Sequence, residues 1–177
     1  MRYITNESEK KRAEKYIEEA KTIAQKATCG RAKCGAVIVK DNEIIGTGFN
    51  SPPGSDENER RCEVRKNQYD IKVTDKTCCM HAEQRAIMDA LRNHSDKIKG
   101  SKLYFSRFYP DGRQRLAGES EKVQLCCTIC TKMMFDVGIE EFVLPHVGGI
   151  GVYAKDEYVK RSFGYGKYTV DKIYAMS

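Results

Sequence analysis

The order of patterned segments in the sequence predicts an α/β fold, a mixed sheet flanked by helices. Two observations carry that expectation. Segments with apolar residues at three- and four-residue steps alternate with short β-rich runs, in the order helix, hairpin, helix, strand, helix, strand. The chain of 177 residues, 40% hydrophobic and 32% charged, also has room for one domain with a proper core. A single domain over residues 1–177 is therefore expected. No apolar run approaches the ~18 residues of a membrane span, so a membrane partner is not expected.

Each element has its own signal. From about Ser8 to Ala27, the apolar residues Ala13, Tyr16, Ile17, Ala20, Ile23 and Ala24 line one face among Lys and Glu, which predicts an amphipathic helix. Asn6 or Ser8 would cap it, and Gly30 would end it. The run GAVIVKDNEIIGTGF predicts a hairpin: a strand to Lys40, a turn at Asp41-Asn42, and a second strand from Glu43 to Phe49. Residues 50–80, with Pro52, Pro53, Gly54 and scattered charges, read as an irregular loop that needs an anchor. A helix is expected over His81–Asn93 and a strand over Lys102–Phe108, closed by the turn Pro110-Asp111-Gly112. Another helix should run from Cys127 to Val137 and stop at Gly138, before a strand at Glu140–Leu144. The tail predicts a helix near Lys155–Ser162 and a strand in Tyr168–Ala175.

Charge and cysteine usage narrow the chemistry. Lys+Arg 31 against Asp+Glu 25 gives a net charge of +6, which favours phosphorylated ligands without the density of a nucleic-acid coat. The start, MRYITNESEKKRAEKYIEE, lacks the apolar stretch of a secretory signal, which predicts a reducing, cytoplasmic setting. In that setting eight cysteines, at 29, 34, 62, 78, 79, 126, 127 and 130, point to metal rather than disulfides.

Two short motifs form a candidate centre. His81-Ala82-Glu83 opens one predicted helix, and Cys127-x-x-Cys130 opens another. Cysteines three apart at a helix start project from one side of the first turn, where the helix dipole favours thiolate. With His81 they make a Cys2His set that would leave the fourth zinc position open, as in catalytic sites. Glu83 is then free to transfer protons. His94 and His146 have no suitable spacing and read as a helix-end residue and a loop residue.

This H-x-E and C-x-x-C pairing matches the signature of zinc deaminases. Over roughly residues 8–145 the chain resembles the cytidine deaminase superfamily, and most of all its deoxycytidylate (dCMP) deaminases. The resemblance is carried by Gly35–Val39, the run Gly46-Thr47-Gly48-Phe49-Asn50-Ser51-Pro52-Pro53-Gly54, His81-Ala82-Glu83-Gln84, and Cys127-x-x-Cys130-x-Lys132-Met133 leading to Gly138-Ile139. It implies a three-layer α/β/α sandwich around a five-stranded mixed sheet. It also implies zinc-dependent conversion of dCMP to dUMP and ammonia, with zinc on His81, Cys127 and Cys130 and with Glu83 moving the protons. Asn50 and Ser51 would bind the substrate, Asn50 through the sugar, while the backbone at Ala82 and Cys127 would read the base.

By the same resemblance, a second, structural zinc would fall on Cys29, Cys62 and Cys79, with Cys78 or a loop residue completing it. Copies of the chain would form a homo-oligomer, with dCTP or dTTP as candidate effectors. Three departures stand out: Cys126 where the family has Pro, Arg85 where it commonly has Asn, and an insertion at 109–126 carrying Arg113, Arg115 and Lys122. That insertion could meet a phosphate, a subunit or a nucleic-acid strand. The alternative readings are a deaminase of another cytosine or adenine nucleoside, nucleotide or single-stranded base, and an inactive zinc-stabilised binding module. Nucleic acid is the less favoured partner.

Overall fold

Six strands form one sheet in the order β1-β6-β5-β4-β2-β3. In the computed structural model, which describes residues 1–73, 75–119 and 127–163, the elements are β1 (Arg2–Tyr3), α1 (Glu7–Ala24), β2 (Lys33–Lys40), β3 (Glu43–Phe49), α2 (Ala82–Asn93), β4 (Lys102–Phe108), α3 (Thr128–Asp136), β5 (Glu141–His146), β6 (Gly149–Ala154) and α4 (Lys155–Phe163). Only the β4–β5 pair is parallel; the other neighbours are antiparallel. A mixed sheet with helices on both faces is thus borne out. The sheet has six strands rather than the expected five. The two strands the pattern did not signal are β1, too short to show a period, and β6, where Gly149 and Gly151 dilute the β signal.

Alternation along β2 sorts the core into two layers. Val37 and Val39 face α1, packing with Ala13, Tyr16 and Ala20. Ala36 and Ile38 face the other side, where α2, α3 and α4 contribute Ala86, Ile87, Met134 and Tyr158. A strand buried on both faces must be apolar throughout, which is why GAVIV carries no polar position. Asn6 caps α1, its side chain accepting from Glu9 N–H at 3.0 Å. The helix ends at Ala24 rather than at Gly30, because Gln25 and the residues after it tighten onto the carbonyls of the last turn. Asp41 and Asn42 both take positive φ, 48° and 65°, as a type I′ hairpin turn requires.

His146 ends β5 rather than lying in a loop, and its ring nitrogens meet Tyr3 Oη at 3.2 Å and Tyr153 Oη at 2.8 Å. The expected strand at Tyr168–Ala175, together with Lys122 and Cys126, lies outside the described residues. Among the described residues, no helix is long and apolar enough to cross a membrane.

The sheet fixes α2 through missing side chains. A Cβ on Gly48 would lie 2.2 Å from the Ala82 carbonyl oxygen, and one on Gly46 would lie 2.4 Å from that of Ala86. These two positions in β3 therefore admit only glycine, and they let the helix backbone rest directly on the strand. The residues 82 to 86 so placed form the first turn of α2, which follows His81 and carries Glu83.

Candidate metal centre and active site

His81 stands at the N-cap of α2 and Cys127 at the N-cap of α3. Gln84 turns back so that its Oε1 accepts from His81 N–H at 2.9 Å, which fixes the start of α2. Cys127 Sγ accepts from Cys130 N–H at 3.2 Å and fixes the start of α3. The two caps thereby bring three donors together. His81 Nδ1 lies 3.2 Å from Cys130 Sγ and 3.2 Å from Cys127 Sγ. The two sulfurs are 2.8 Å apart. The other ring nitrogen, Nε2, faces Thr77 Oγ1 at 3.5 Å, and that hydroxyl donates to Asp75 Oδ1 at 2.5 Å. Thr77 orients the imidazole, and no pattern in the sequence marked it out for that.

The donor set fits a divalent cation. Cys130 Sγ crowds Cys127 and, with burial, pushes its thiol well above the ordinary range, although His81 acts against this. The Cys127 sulfur in turn raises His81 to about 9. The two sulfurs thus oppose each other's ionisation while the imidazole between them is held protonated, and a shared cation takes the place of that proton and lets all three donors offer lone pairs. Two thiolates and an imidazole are ligands that zinc favours.

Glu83 is buried, at 4% exposure, in the first turn of α2. It lines a cavity of about 350 Å³ together with His81, Ala82, Cys127, Asn50 and Phe105. That size suits a small organic ligand. Asn50 is also buried, and its amide is largely committed to the chain. Its Oδ1 accepts from Cys34 N–H at 2.7 Å and its Nδ2 donates to Ala32 C=O at 2.9 Å. One N–H and one lone pair remain for a ligand. Ser51 does not reach the cavity wall. Its hydroxyl meets Ser55 Oγ at 3.2 Å, and its carbonyl accepts from Met80 N–H at 3.0 Å, so it closes the base of the 51–80 loop just before His81. Ser51, expected at the substrate, thus has its backbone in the loop closure and its hydroxyl on Ser55.

Arg85, which departs from the family pattern, points away from the cavity. Its Nη2 donates to Pro52 C=O at 2.8 Å and its Nη1 to Ser55 Oγ at 3.1 Å, while the guanidinium lies over the Phe49 ring at 5.4 Å. Arg85 clamps the Pro52–Ser55 turn onto α2.

A second cluster lies in the same cavity wall. Donor atoms of Cys29, Cys62 and Cys79 lie within 4.8 Å of one another. Cys78 Sγ is 3.5 Å from Cys62 Sγ and 3.7 Å from Cys79 Sγ. Burial works against ionising Cys62, but hydrogen bonds from Gly30 N–H, Cys78 and Arg60 outweigh it and hold its thiol below the ordinary value. Arg31 ties this wall together by donating to Cys62 C=O at 2.7 and 3.0 Å and to Val64 C=O at 2.8 Å. Cys34, by contrast, is a half-buried thiol in the cavity wall, pushed up to about 12 mainly by desolvation and then by the Glu83 charge.

Comparison with known proteins agrees with this geometry. A deoxycytidylate deaminase of Mycobacterium phage D29 is 28% identical over 138 residues, covering 75% of this chain and 92% of that protein. A deoxycytidylate deaminase of Schizosaccharomyces pombe is 24% identical over 131 residues, 72% of this chain but only 35% of that longer protein. The crystal structure of dCMP deaminase from cyanophage S-TIM5, in complex with dCMP and dUMP, shares the fold, with a TM-score of 0.53, 22% identity, and coverage of 80% of this chain and 83% of that one. The family model for the cytidine and deoxycytidylate deaminase zinc-binding region matches residues 10–145, a span that starts within α1 and includes both ligand clusters. With that match and the Cys2His donor set at the two helix starts, the chain belongs to the cytidine and deoxycytidylate deaminase family.

Proposed function

We propose that the chain hydrolyses dCMP to dUMP and ammonia. The observation that carries this is the placement of a buried Glu83 carboxylate in one cavity with the His81, Cys127 and Cys130 donors, in a chain whose curated relatives act on deoxycytidylate. Zinc, when held by His81 Nδ1 and the two sulfurs, would activate a water molecule for attack at neutral pH. Glu83 takes the proton that the attacking water gives up and passes it to N3 of the cytosine ring. It then takes the proton of the new C4 hydroxyl and delivers it to the amino group, so that the C4–N bond breaks, ammonia leaves and a uracil ring remains. The backbone at Ala82 holds the base edge, and the remaining N–H of Asn50 meets the sugar. Phe105, packed against Phe142 at 5.8 Å between centroids, walls the cavity on its sheet side.

Cys29, Cys62 and Cys79 are proposed to hold a second, structural zinc, with Cys78 as the fourth thiolate. Four sulfurs make a closed tetrahedral set suited to anchoring the 50–80 loop rather than to chemistry. The test is ammonia release from dCMP, CMP, deoxycytidine, cytosine, adenosine and single-stranded DNA, alongside elemental analysis. Highest turnover on dCMP and two zinc ions per chain are expected. Preference for a nucleoside or a DNA strand overturns the substrate, and a single zinc overturns the second site.

A further inference from the structure

The insertion after β4 is the one segment near the cavity that the deaminase reading leaves without a role. Its first part is a hairpin that prolongs β4. Tyr109 N–H donates to Arg113 C=O at 2.9 Å, Arg115 N–H donates to Arg107 C=O at 2.8 Å, and Gly112 makes the turn with φ +87°. Four residues thereby fall in one row across the end of the sheet. Asn50 N–H bonds Cys34 C=O at 3.3 Å, Cys34 pairs with Arg107 in the β2–β4 register, and Arg107 pairs with Arg115. Arg107 lies two residues beyond Phe105 and so faces the same side of β4, toward the cavity. Both Arg107 and Arg115 line the cavity, and the Nε of each is buried with no hydrogen-bond partner among the described residues.

The other cations in the wall are mostly engaged. Arg31 is spent on Cys62 and Val64, Arg61 pairs with Glu59 at 2.7 Å, and Lys76 reaches Tyr69 C=O at 3.5 Å. Glu83 is the only carboxylate lining the cavity among the described residues. Two half-buried guanidinium groups on one cavity wall repel each other unless an anion joins them, and the planar fork of arginine suits a phosphate better than any single-point anion. The hairpin also prepares Arg115. Its guanidinium lies 5.3 Å over the Tyr109 ring, whose hydroxyl donates to Glu119 Oε2 at 3.1 Å while Glu119 Oε1 accepts from Leu116 N–H at 2.9 Å.

We propose that Arg115, delivered by the insertion, and Arg107, at the end of β4, form the subsite for the 5′-phosphate of the substrate. The row runs from Asn50, assigned to the sugar, outward to the two arginines, which is the order of sugar and 5′-phosphate in a nucleotide. The inference rests on the nucleotide reading of the same cavity. It adds that preference for a 5′-monophosphate over a nucleoside is supplied by this chain's own insertion.

The experiment compares dCMP and deoxycytidine as substrates for the full-length protein, Arg115→Gln and Arg107→Gln, with Arg113→Gln as a control. Arg113 stacks on Tyr109 at 4.3 Å but is exposed and does not line the cavity. For each arginine variant at the subsite, kcat/KM for dCMP should fall by about tenfold or more, carried in KM, and the ratio of dCMP to deoxycytidine turnover should fall with it. Arg113→Gln should match wild type. Thermal melts identify a variant that fails to fold, and Arg115→Lys then replaces it, with a smaller loss in the same direction expected. Equal losses on both substrates, or an unchanged preference for dCMP, overturn the phosphate subsite alone. A wild-type protein that turns over deoxycytidine as well as dCMP overturns the nucleotide reading and the subsite with it.

Discussion

The two sulfur clusters differ in how the chain assembles them. His81, Cys127 and Cys130 come from two helix starts, each fixed by its own cap, and two of the three donors lie one helical turn apart. Cys29, Cys62 and Cys79 come from three irregular segments, and the strand ladders fix none of them. The first cluster is therefore largely preorganised by the fold, whereas the second, holding the proposed zinc, would itself organise the segments that contain it. The difference teaches where a metal acts: a site the fold has already built can leave a coordination position for chemistry, and a site that builds the fold cannot.

Glu83→Gln gives the largest effect on turnover. Removing the proton carrier should lower kcat by ~10²–10⁴-fold, with zinc content and melting temperature unchanged, as read by a stopped ammonia assay and elemental analysis. The two clusters should then separate under ligand removal. Cys130→Ser should abolish turnover and lose the ion at the helix starts while the fold remains. Cys62→Ser should lower stability by several kcal/mol, since structural zinc contributes folding free energy directly, and should reduce zinc from two ions to one. If denaturant melts show Cys130→Ser to be the more damaging to stability, the contrast between the clusters is wrong.

A smaller effect tests the strand beneath α2. Gly48→Ala forces the Ala82 carbonyl away from β3 and should cost about 1–3 kcal/mol. It should also reduce kcat, because Glu83 moves with the helix. The smallest effect lies where the two regions are tied together. Arg85→Ala removes two hydrogen bonds to the Pro52–Ser55 turn and should cost about 1–2 kcal/mol. KM for dCMP should change little, since Arg85 does not line the cavity; a large change in KM would assign it to substrate instead.

Much of this was legible in the sequence. The helix and hairpin periods placed α1, β2, β3, α2, β4 and α3 to within a few residues, and α4 to within one, because each carries a full apolar stripe or an unambiguous turn. Cys127 and Cys130 were legible as a ligand pair because cysteines three apart at a helix start project from one side of its first turn. Cys29, Cys62 and Cys79 have no such local meaning, and only the family resemblance singled them out. Thr77 was missed because it acts through the fold: a threonine four residues before a histidine carries no signal until the chain turns. Arg107 was missed because a cation in a strand reads as an edge residue, and its partner Arg115 is brought beside it by a hairpin in an insertion of polar character. Ser51 was assigned to the ligand by its place in a motif, whereas its bonds to Ser55 and Met80 across the loop carry no local signal in the sequence.

Gly46 and Gly48 have no side chain to offer the cavity, yet the bare backbone there sets how deep the Glu83 carboxylate sits. One added methyl on the strand beneath would act as a shim under the whole helix. A mutational screen confined to residues facing the cavity would therefore overlook the ruler by which the catalyst is measured into place.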